Sequence, residues 1–271
     1  MPRLIQHHDQ FFKRLLDHPG AAGALLRERL PADVAALLSD QAPELVPGSF
    51  VPADLREYRS DRLYQASTIL GPAILIHVLV EHKSFPDPDT PLQLLGYKIR
   101  ILEDWKRRQP PGAGSPLPAV FSLVVYHGKA AWTVPLSFAE TVASPLVALH
   151  PWLVDFRYTL VDLGHIPDAQ LSGTEVLRVG FLILKHGTRE GDLQRTLLEL
   201  GRAALALGFD ELVALLHYVL REPNPLERET LRAVLAELLP GEEERIMSIA
   251  AEQWKAEAFH QGLLEGESKG R

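Results

Sequence analysis

The sequence predicts an α/β domain with a central mixed sheet flanked by helices, followed by an all-α C-terminal region. Short β-prone runs alternate with helical segments up to about residue 165, and from Gly173 onward the pattern is helical and punctuated by prolines. The 271 residues, 46% hydrophobic and 23% charged, are enough for a sizeable core. We therefore predict an α/β domain over residues 1–170 and a helical region with a polar, glycine-punctuated tail over residues 171–271.

The first 40 residues are predicted to form short helices. The segment "DQFFKRLLD" has Asp9 in the N-cap position and stops before Pro19, and the helical pieces "AAGALLRERL" and "ADVAALLSD" follow it. Turn residues and short β-prone pieces then predominate. This pattern predicts strands near residues 45–51, 61–68 and 73–82.

The segment "TPLQLLGYKIRILEDWKRRQ" is predicted to be one amphipathic helix that ends at a Pro-Pro-Gly loop. Its apolar stripe has i, i+3 and i+4 spacings and consists of Leu92, Leu95, Ile99 and Leu102. The mostly apolar run at 117–128 follows and predicts a strand with both faces covered. Residues 156–163 alternate between apolar and polar side chains, which predicts an outer strand.

Composition and charge restrict the chemistry that the chain can perform. The sequence contains no cysteine, so disulfides, thiolate catalysis and Cys-ligated zinc are excluded, and any metal must bind to oxygen or imidazole ligands. The N-terminus has no apolar leader, and no apolar run approaches the ~18 residues of a membrane span. We therefore expect a cytoplasmic protein without a membrane partner. A net charge of −7 argues against coating nucleic acid, although it does not exclude a local basic patch.

A buried-type strand that ends in charged residues is the main candidate site. In a strand, Glu81 and Lys83 point to the same side. If the preceding strand folds back through a turn at residues 71–72, reflection brings Asp61 opposite residue 82, near Glu81. Two carboxylates can hold Mg²⁺ while a lysine stabilises negative charge, as phosphodiester hydrolysis requires. Taken by themselves, Glu81 and Lys83 are explained more simply by a strand end that reaches solvent.

The predicted helix after this strand adds candidate nucleic-acid contacts. Gln93 and Tyr97 share one helix face and could contact a phosphate or a base. Farther along lie the basic residues expected to bind a DNA backbone: Lys98, Arg100, Lys106, Arg107 and Arg108. The alternatives are a core role for Tyr97 and a solvated helix face for the basic residues.

Six segments in this order resemble the Rpn family of recombination-promoting nucleases, also described as candidate transposases: "HDQFFKRLL", "LREYRSDRLYQ", "LVEHKSFPD", "LQLLGYKIRILEDW", "LVVYHGKAAWTVP" and "FRYTLVDL". The spacing of Asp61 from Glu81-x-Lys83, with Q-x-x-x-Y in the next helix, resembles the wider PD-(D/E)XK nuclease superfamily. Many Rpn members have Gln where this chain has Lys83. Ser60 replaces the proline that often precedes the motif aspartate.

This resemblance implies a restriction-endonuclease-like core and a DNA endonuclease linked to recombination or to a mobile element. Its cofactor would be Mg²⁺, with Mn²⁺ as a substitute. Asp61, Glu81 and Lys83 would then be the catalytic residues, and Asp61 and Glu81 the metal ligands.

Other functions remain open from the sequence. The chain could be a catalytically inactive DNA-binding or assembly protein of transposase origin, or an interaction module built on its helical half. The "HHD" at residues 7–9 is explained by the N-cap Asp9 more simply than by a metal site. Self-association through the C-terminal helices, over residues 244–264, is a further expectation, because interior glycines weaken a helix unless a partner supports it.

Overall fold

The computed structural model divides the chain into two compact units, residues 1–178 and 179–271, and each is described by itself. The structure describes residues 11–46, 62–71, 74–81, 86–110, 116–143, 147–186, 193–208, 212, 215–216, 225–249 and 251–252.

The first unit is an α/β domain. Its elements are, in chain order, α1 (residues 11–17), α2 (Ala21–Arg29), α3 (Ala32–Ala35), β1 (Glu44–Leu45), β2 (Arg62–Ala66), β3 (Ile74–Glu81), α4 (Thr90–Arg108), β4 (Val120–Tyr126) and β5 (Thr159–Asp162). Short 3₁₀ helices cover Ala139–Thr141, Val147–Trp152 and Asp168–Gln170.

The five strands form one mixed sheet in the order β1-β2-β3-β4-β5. The first three strands pair antiparallel, whereas β3, β4 and β5 are parallel. A parallel pair requires a crossover, and α4 lies in the one between β3 and β4. The predicted mixed sheet is confirmed, and β5 is an outer strand as expected.

Strand β4 lies inside the sheet between β3 and β5, and its side chains from Leu123 to Tyr126 are all completely buried. Such a strand needs cover on both faces, and the apolar run at 117–128 predicted this. On one face Val124 packs with Leu94 of α4 and with Tyr158 just before β5. The strand prediction with both faces covered is therefore confirmed.

The turn between β2 and β3 differs from the prediction. Reflection about residues 71–72 would place Arg62 opposite position 81, but the observed ladder pairs Arg62 with Val78. The turn spans Thr68–Gly71: the N–H of Gly71 donates to the Thr68 carbonyl over 3.1 Å, and Gly71 has a φ of 99°. Because Gly71 takes the last position of this turn rather than a central one, the predicted register was three residues wrong.

The apolar stripe predicted for α4 does not face the sheet. Leu92 is 61% exposed and Ile99 is 49% exposed. The buried residues are instead Leu94, Tyr97 and Ile101, which also have i, i+3 and i+4 spacings. The helix therefore carries two apolar stripes, and the stripe with the large aromatic ring lies against the sheet. The prediction of an amphipathic helix is confirmed in its bounds, but it chose the wrong face.

From residue 175 onward the described elements are all helical: α5 (Glu175–His186), α6 (Leu193–Leu207), α7 (Pro225–Leu238) and α8 (residues 243–249). This confirms the all-α C-terminal region. In the second unit α6 contacts α7, and a Cβ added to Gly201 of α6 would lie 2.6 Å from Cδ1 of Leu238. Gly201 thus permits a close helix approach. Within the described ranges, no helix has both the length and the apolar character needed to cross a bilayer.

Candidate active site

The carboxyl ends of the three parallel strands form the candidate site edge. Glu81, the last residue of β3, is the register partner of Tyr126, and Tyr126 is in turn the partner of Asp162 at the end of β5. At roughly 4.8 Å between neighbouring strands, the Glu81 and Asp162 backbones lie about 10 Å apart. Two acidic positions therefore occupy one row at the end of the sheet.

Asp61 and Lys83 lie outside the described residues, as does the side chain of Glu81, so their convergence stays a prediction. The backbone adds one constraint. The first residue of β2 is Arg62, β3 ends at Glu81, and in an antiparallel pair these two ends lie at the same edge. Among the described residues no group of three His, Asp or Glu side chains is arranged to hold a metal ion.

Asp162 and His165 form a hydrogen-bonded pair beside this edge, which the sequence interpretation missed. Oδ2 of Asp162 lies 2.9 Å from Nδ1 of His165, and Oδ1 accepts the N–H of Gly164 over 3.1 Å. The His165 side chain is 59% exposed, whereas that of Asp162 is 15% exposed. The carboxylate thereby orients the imidazole and leaves Nε2 as the ring nitrogen that can meet a ligand. The signal in the sequence is "DLGH" directly after a strand.

An aromatic cluster supports the end of β4. The Tyr126 ring packs edge-on against Trp132 at 5.0 Å, and Nε1 of Trp132 donates to the Tyr158 hydroxyl over 3.2 Å. Burial raises the pKa of Tyr158 to about 12, so this phenol stays protonated. A Cβ on Gly128 would lie 2.1 Å from the Tyr126 hydroxyl. The ring can therefore occupy this position only because residue 128 is glycine.

The start of α4 is held by Asp87. Oδ1 of Asp87 accepts the N–H of Asp89 over 3.0 Å, and Oδ2 accepts Nε2 of Gln93 over 3.3 Å. Tyr97, one turn farther along, is 4% exposed and lies on the sheet side of the helix. The two residues predicted to contact nucleic acid thus differ: Gln93 is half-buried and fixed by a carboxylate, and Tyr97 is part of the core.

Lys98 points inward rather than into solvent. Its ammonium donates to the backbone carbonyl of Val120, the first residue of β4, and lies 5.0 Å from the centre of the Phe156 ring. Burial lowers the pKa of Lys98 from 10.5 to about 8. Lys98 therefore serves the contact between α4 and the sheet.

The other basic residues lie farther along α4. Arg107 and Arg108 both form ion pairs with Asp104, at 3.3 Å and 2.6 Å, while Lys106 is exposed and Arg100 is half-buried. With a rise of about 1.5 Å per residue, this basic end lies about 27 Å from the start of α4. It lies toward the sheet edge where β4 begins, opposite the edge where Glu81 lies.

A mixed sheet with a crossover helix, in which a central strand ends in a carboxylate, is consistent with a nuclease-like α/β core. The chain belongs to the family described as "Putative transposase, YhgA-like", whose sequence model matches residues 6–208. The resemblance predicted from the six ordered segments is thereby confirmed.

Three relatives from Escherichia coli (strain K12) support this assignment. The chain is 28% identical to recombination-promoting nuclease RpnA over 247 residues, which cover 90% of this chain and 82% of the relative. It is 28% identical to recombination-promoting nuclease RpnC over 251 residues, 91% of this chain and 80% of the relative. It is also 28% identical to a protein named inactive recombination-promoting nuclease-like protein RpnE over 263 residues, which cover 96% of this chain and 85% of the relative. No solved structure gives a significant match.

Proposed function

We propose that the chain is a metal-dependent endonuclease that hydrolyses phosphodiester bonds in DNA during recombination or the movement of a mobile element. One observation carries this proposal. Glu81 is the last residue of β3, and it lies at the sheet edge where β2 begins with Arg62, the residue that follows Asp61 in the sequence. The relatives named recombination-promoting nucleases support the reaction class.

The donor set fits a hard divalent cation. Asp61 and Glu81 supply carboxylate oxygens, which Mg²⁺ prefers and Mn²⁺ also accepts, and the chain has no thiolate to favour a softer metal. When bound, such an ion polarises a phosphoryl oxygen and lowers the pKa of a water molecule.

The remaining residues have electrostatic and positioning roles in this proposal. Lys83 stabilises the negative charge that develops on the phosphoryl group. His165, oriented by Asp162, offers Nε2 to a phosphate near the same edge. Gln93, held by Asp87, lies in the first turns of α4 and can meet the DNA from the helix side.

Cleavage of supercoiled plasmid DNA tests this proposal. Wild type should nick and linearise the plasmid with Mg²⁺ or Mn²⁺ and not with EDTA. Asp61→Asn, Glu81→Gln and Lys83→Ala should each lower the rate by roughly a hundredfold or more, because each removes a group that acts on the transition state. Glu44→Gln, which neutralises an exposed carboxylate in β1, is the matched control and should cut like wild type. Equal cutting by all variants would refute the assigned site.

The relative named inactive supports a second candidate function, DNA binding without cleavage. Fluorescence anisotropy with labelled duplex DNA distinguishes the two. A chain that binds the duplex, with an affinity that falls as salt rises, and leaves plasmid intact with every metal tested would be a binding protein.

A further inference from the structure

The outward face of α4 carries an apolar stripe that the sheet does not cover. Leu92 is 61% exposed and Ile99 is 49% exposed. Leu95 lies between them, Leu102 follows in the next turn, and both of these leucines are half-buried. Their spacing of three, four and three residues is the spacing of a helix-pairing seam, in which side chains of two helices interdigitate. The apolar stripe predicted from the sequence is therefore present, but it faces away from the sheet.

We propose that this stripe binds the same stripe of a second copy of the chain, with the two α4 helices antiparallel. The charges at the two helix ends favour this occupant and orientation. Asp87 and Asp89 precede the first turn, whereas the last turn carries Lys106, Arg107 and Arg108. An antiparallel pair places each acidic start beside a basic end, whereas a parallel pair places like charges together.

The basic end keeps its sign when its acidic neighbours are included. Glu103 and Asp104 contribute two negative charges against the three positive charges of residues 106–108, which leaves a net charge of +1, and Asp104 pairs with Arg107 and Arg108 within the helix. A two-fold axis that crosses the outward face of α4 at the level of residue 97 places Leu92 opposite Leu102 of the second copy. It also places Leu95 opposite Ile99 of the second copy. All four apolar residues of the stripe then find partners.

This arrangement changes where the basic residues act. Within one chain they lie about 27 Å from the start of α4, too far to contact a phosphate at the Glu81 edge. In the antiparallel pair, Lys106 and Arg107 of the second copy lie beside the start of α4, next to that edge. Each copy thus supplies cationic residues for DNA at the other copy's site; this consequence rests on the proposed function, whereas the pairing does not.

Light scattering after size-exclusion chromatography of the full chain tests the pairing. Wild type should elute as a dimer, and Leu92→Glu with Ile99→Glu should shift it to monomer, weakening association by roughly tenfold or more. Ile69→Glu is the matched control, because Ile69 is 65% exposed but lies in the β2–β3 turn. A monomeric wild type, or a dimer that survives the glutamates, would overturn the proposal.

Charge reversal tests which helix ends meet. Asp89→Lys alone should weaken the dimer, because it places a lysine beside the basic end of the second copy. Adding Lys106→Asp in the same chain restores an attractive pair at both ends and should recover the dimer. If the double variant is as weak as the single one, these two ends do not meet.

Because the chain has no cysteine of its own, engineered cysteines report the orientation directly. Leu95→Cys and Ile99→Cys chains of different tag mass are mixed and oxidised. An antiparallel pair gives the mixed 95–99 disulfide, whereas a parallel pair gives 95–95 and 99–99 products and would refute the orientation.

Plasmid cleavage then separates the two proposals. If wild type is a dimer that does not cut, the pairing is supported and the proposed function is refuted. If wild type is a monomer that cuts, the proposed function is supported and the pairing is refuted. If both hold, the double glutamate variant should cut more slowly than wild type and the Ile69→Glu control should not.

Discussion

The two faces of α4 have similar apolar spacing but different surroundings. Leu94, Tyr97 and Ile101 lie against the sheet and are almost completely buried, whereas Leu92 and Ile99 are largely exposed. Apolar spacing therefore identifies a helix but does not select the face that joins the core. The sheet selects that face, since Leu94 meets Val124 and Ile101 contacts Leu63 and Leu75.

Truncation on each face gives the largest expected difference. Leu94→Ala should lower the free energy of unfolding by about 2–5 kcal/mol, because it leaves a cavity beside Val124 and Tyr158. Leu92→Ala, the matched control on the outward face, should change it by less than about 0.5 kcal/mol in the monomer. Urea denaturation of both in an Ile99→Glu background, checked to be monomeric by light scattering, measures this, and equal losses would mean that the faces are wrongly assigned.

Two glycine substitutions should have opposite effects on stability. Gly128→Ala should destabilise the protein by about 1–3 kcal/mol, because its Cβ would collide with the hydroxyl of the buried Tyr126. Gly96→Ala on α4 should stabilise the helix by about 0.5–1 kcal/mol, because a Cβ there meets no atom within 4 Å. Thermal unfolding should shift the two melting temperatures in opposite directions, and a shift in the same direction would contradict this.

The burial of Lys98 between α4 and the sheet should make the stability of the protein depend on pH. Its folded-state pKa of about 8 lies below the ordinary value of 10.5, so the unfolded chain holds more protons between these two values. Relative to Lys98→Met, wild type should therefore gain stability as pH rises from 8 to 10.5, on the order of 1–2 kcal/mol after allowance for solvent screening. Denaturation of both proteins across this range measures the difference, and a constant or falling difference would refute the burial of this ammonium.

The exposed ion pairs at the end of α4 should matter least for stability. Arg107→Gln removes the pair with Asp104, and because Arg107 is 73% exposed, the loss should be below about 0.5 kcal/mol. The same substitution should nevertheless weaken duplex DNA binding and reduce its salt dependence if Arg107 contacts a phosphate. Unchanged DNA binding would leave Arg107 as only a solvated surface residue.

Local patterns in the sequence predicted most of the fold. The bounds of α4 follow from its apolar spacing and its terminal prolines, and the burial of β4 follows from a continuous apolar run. The predicted register between β2 and β3 was wrong because glycine is accepted both at the central positions and at the last position of a turn. The sequence alone does not show which of these positions Gly71 occupies. The stripe that faces the sheet depends on side chains far away in sequence, so it could not be chosen locally.

The candidate site could be predicted only in part, for a similar reason. Glu81 was identified because charges are unusual at the end of an apolar strand. Asp162 was missed because its place in the same row depends on the parallel register between β4 and β5, which no local pattern specifies. The roles of Asp61 and Lys83 stay predictions, since those residues lie outside the part that the structure describes.

The sheet ends on both sides in its shortest strands, β1 with two residues and β5 with four. Such short edges expose few backbone N–H and C=O groups in a row, and they are poor templates for adding a strand from another molecule. Concentrated solutions should therefore resist fibril growth by sheet extension.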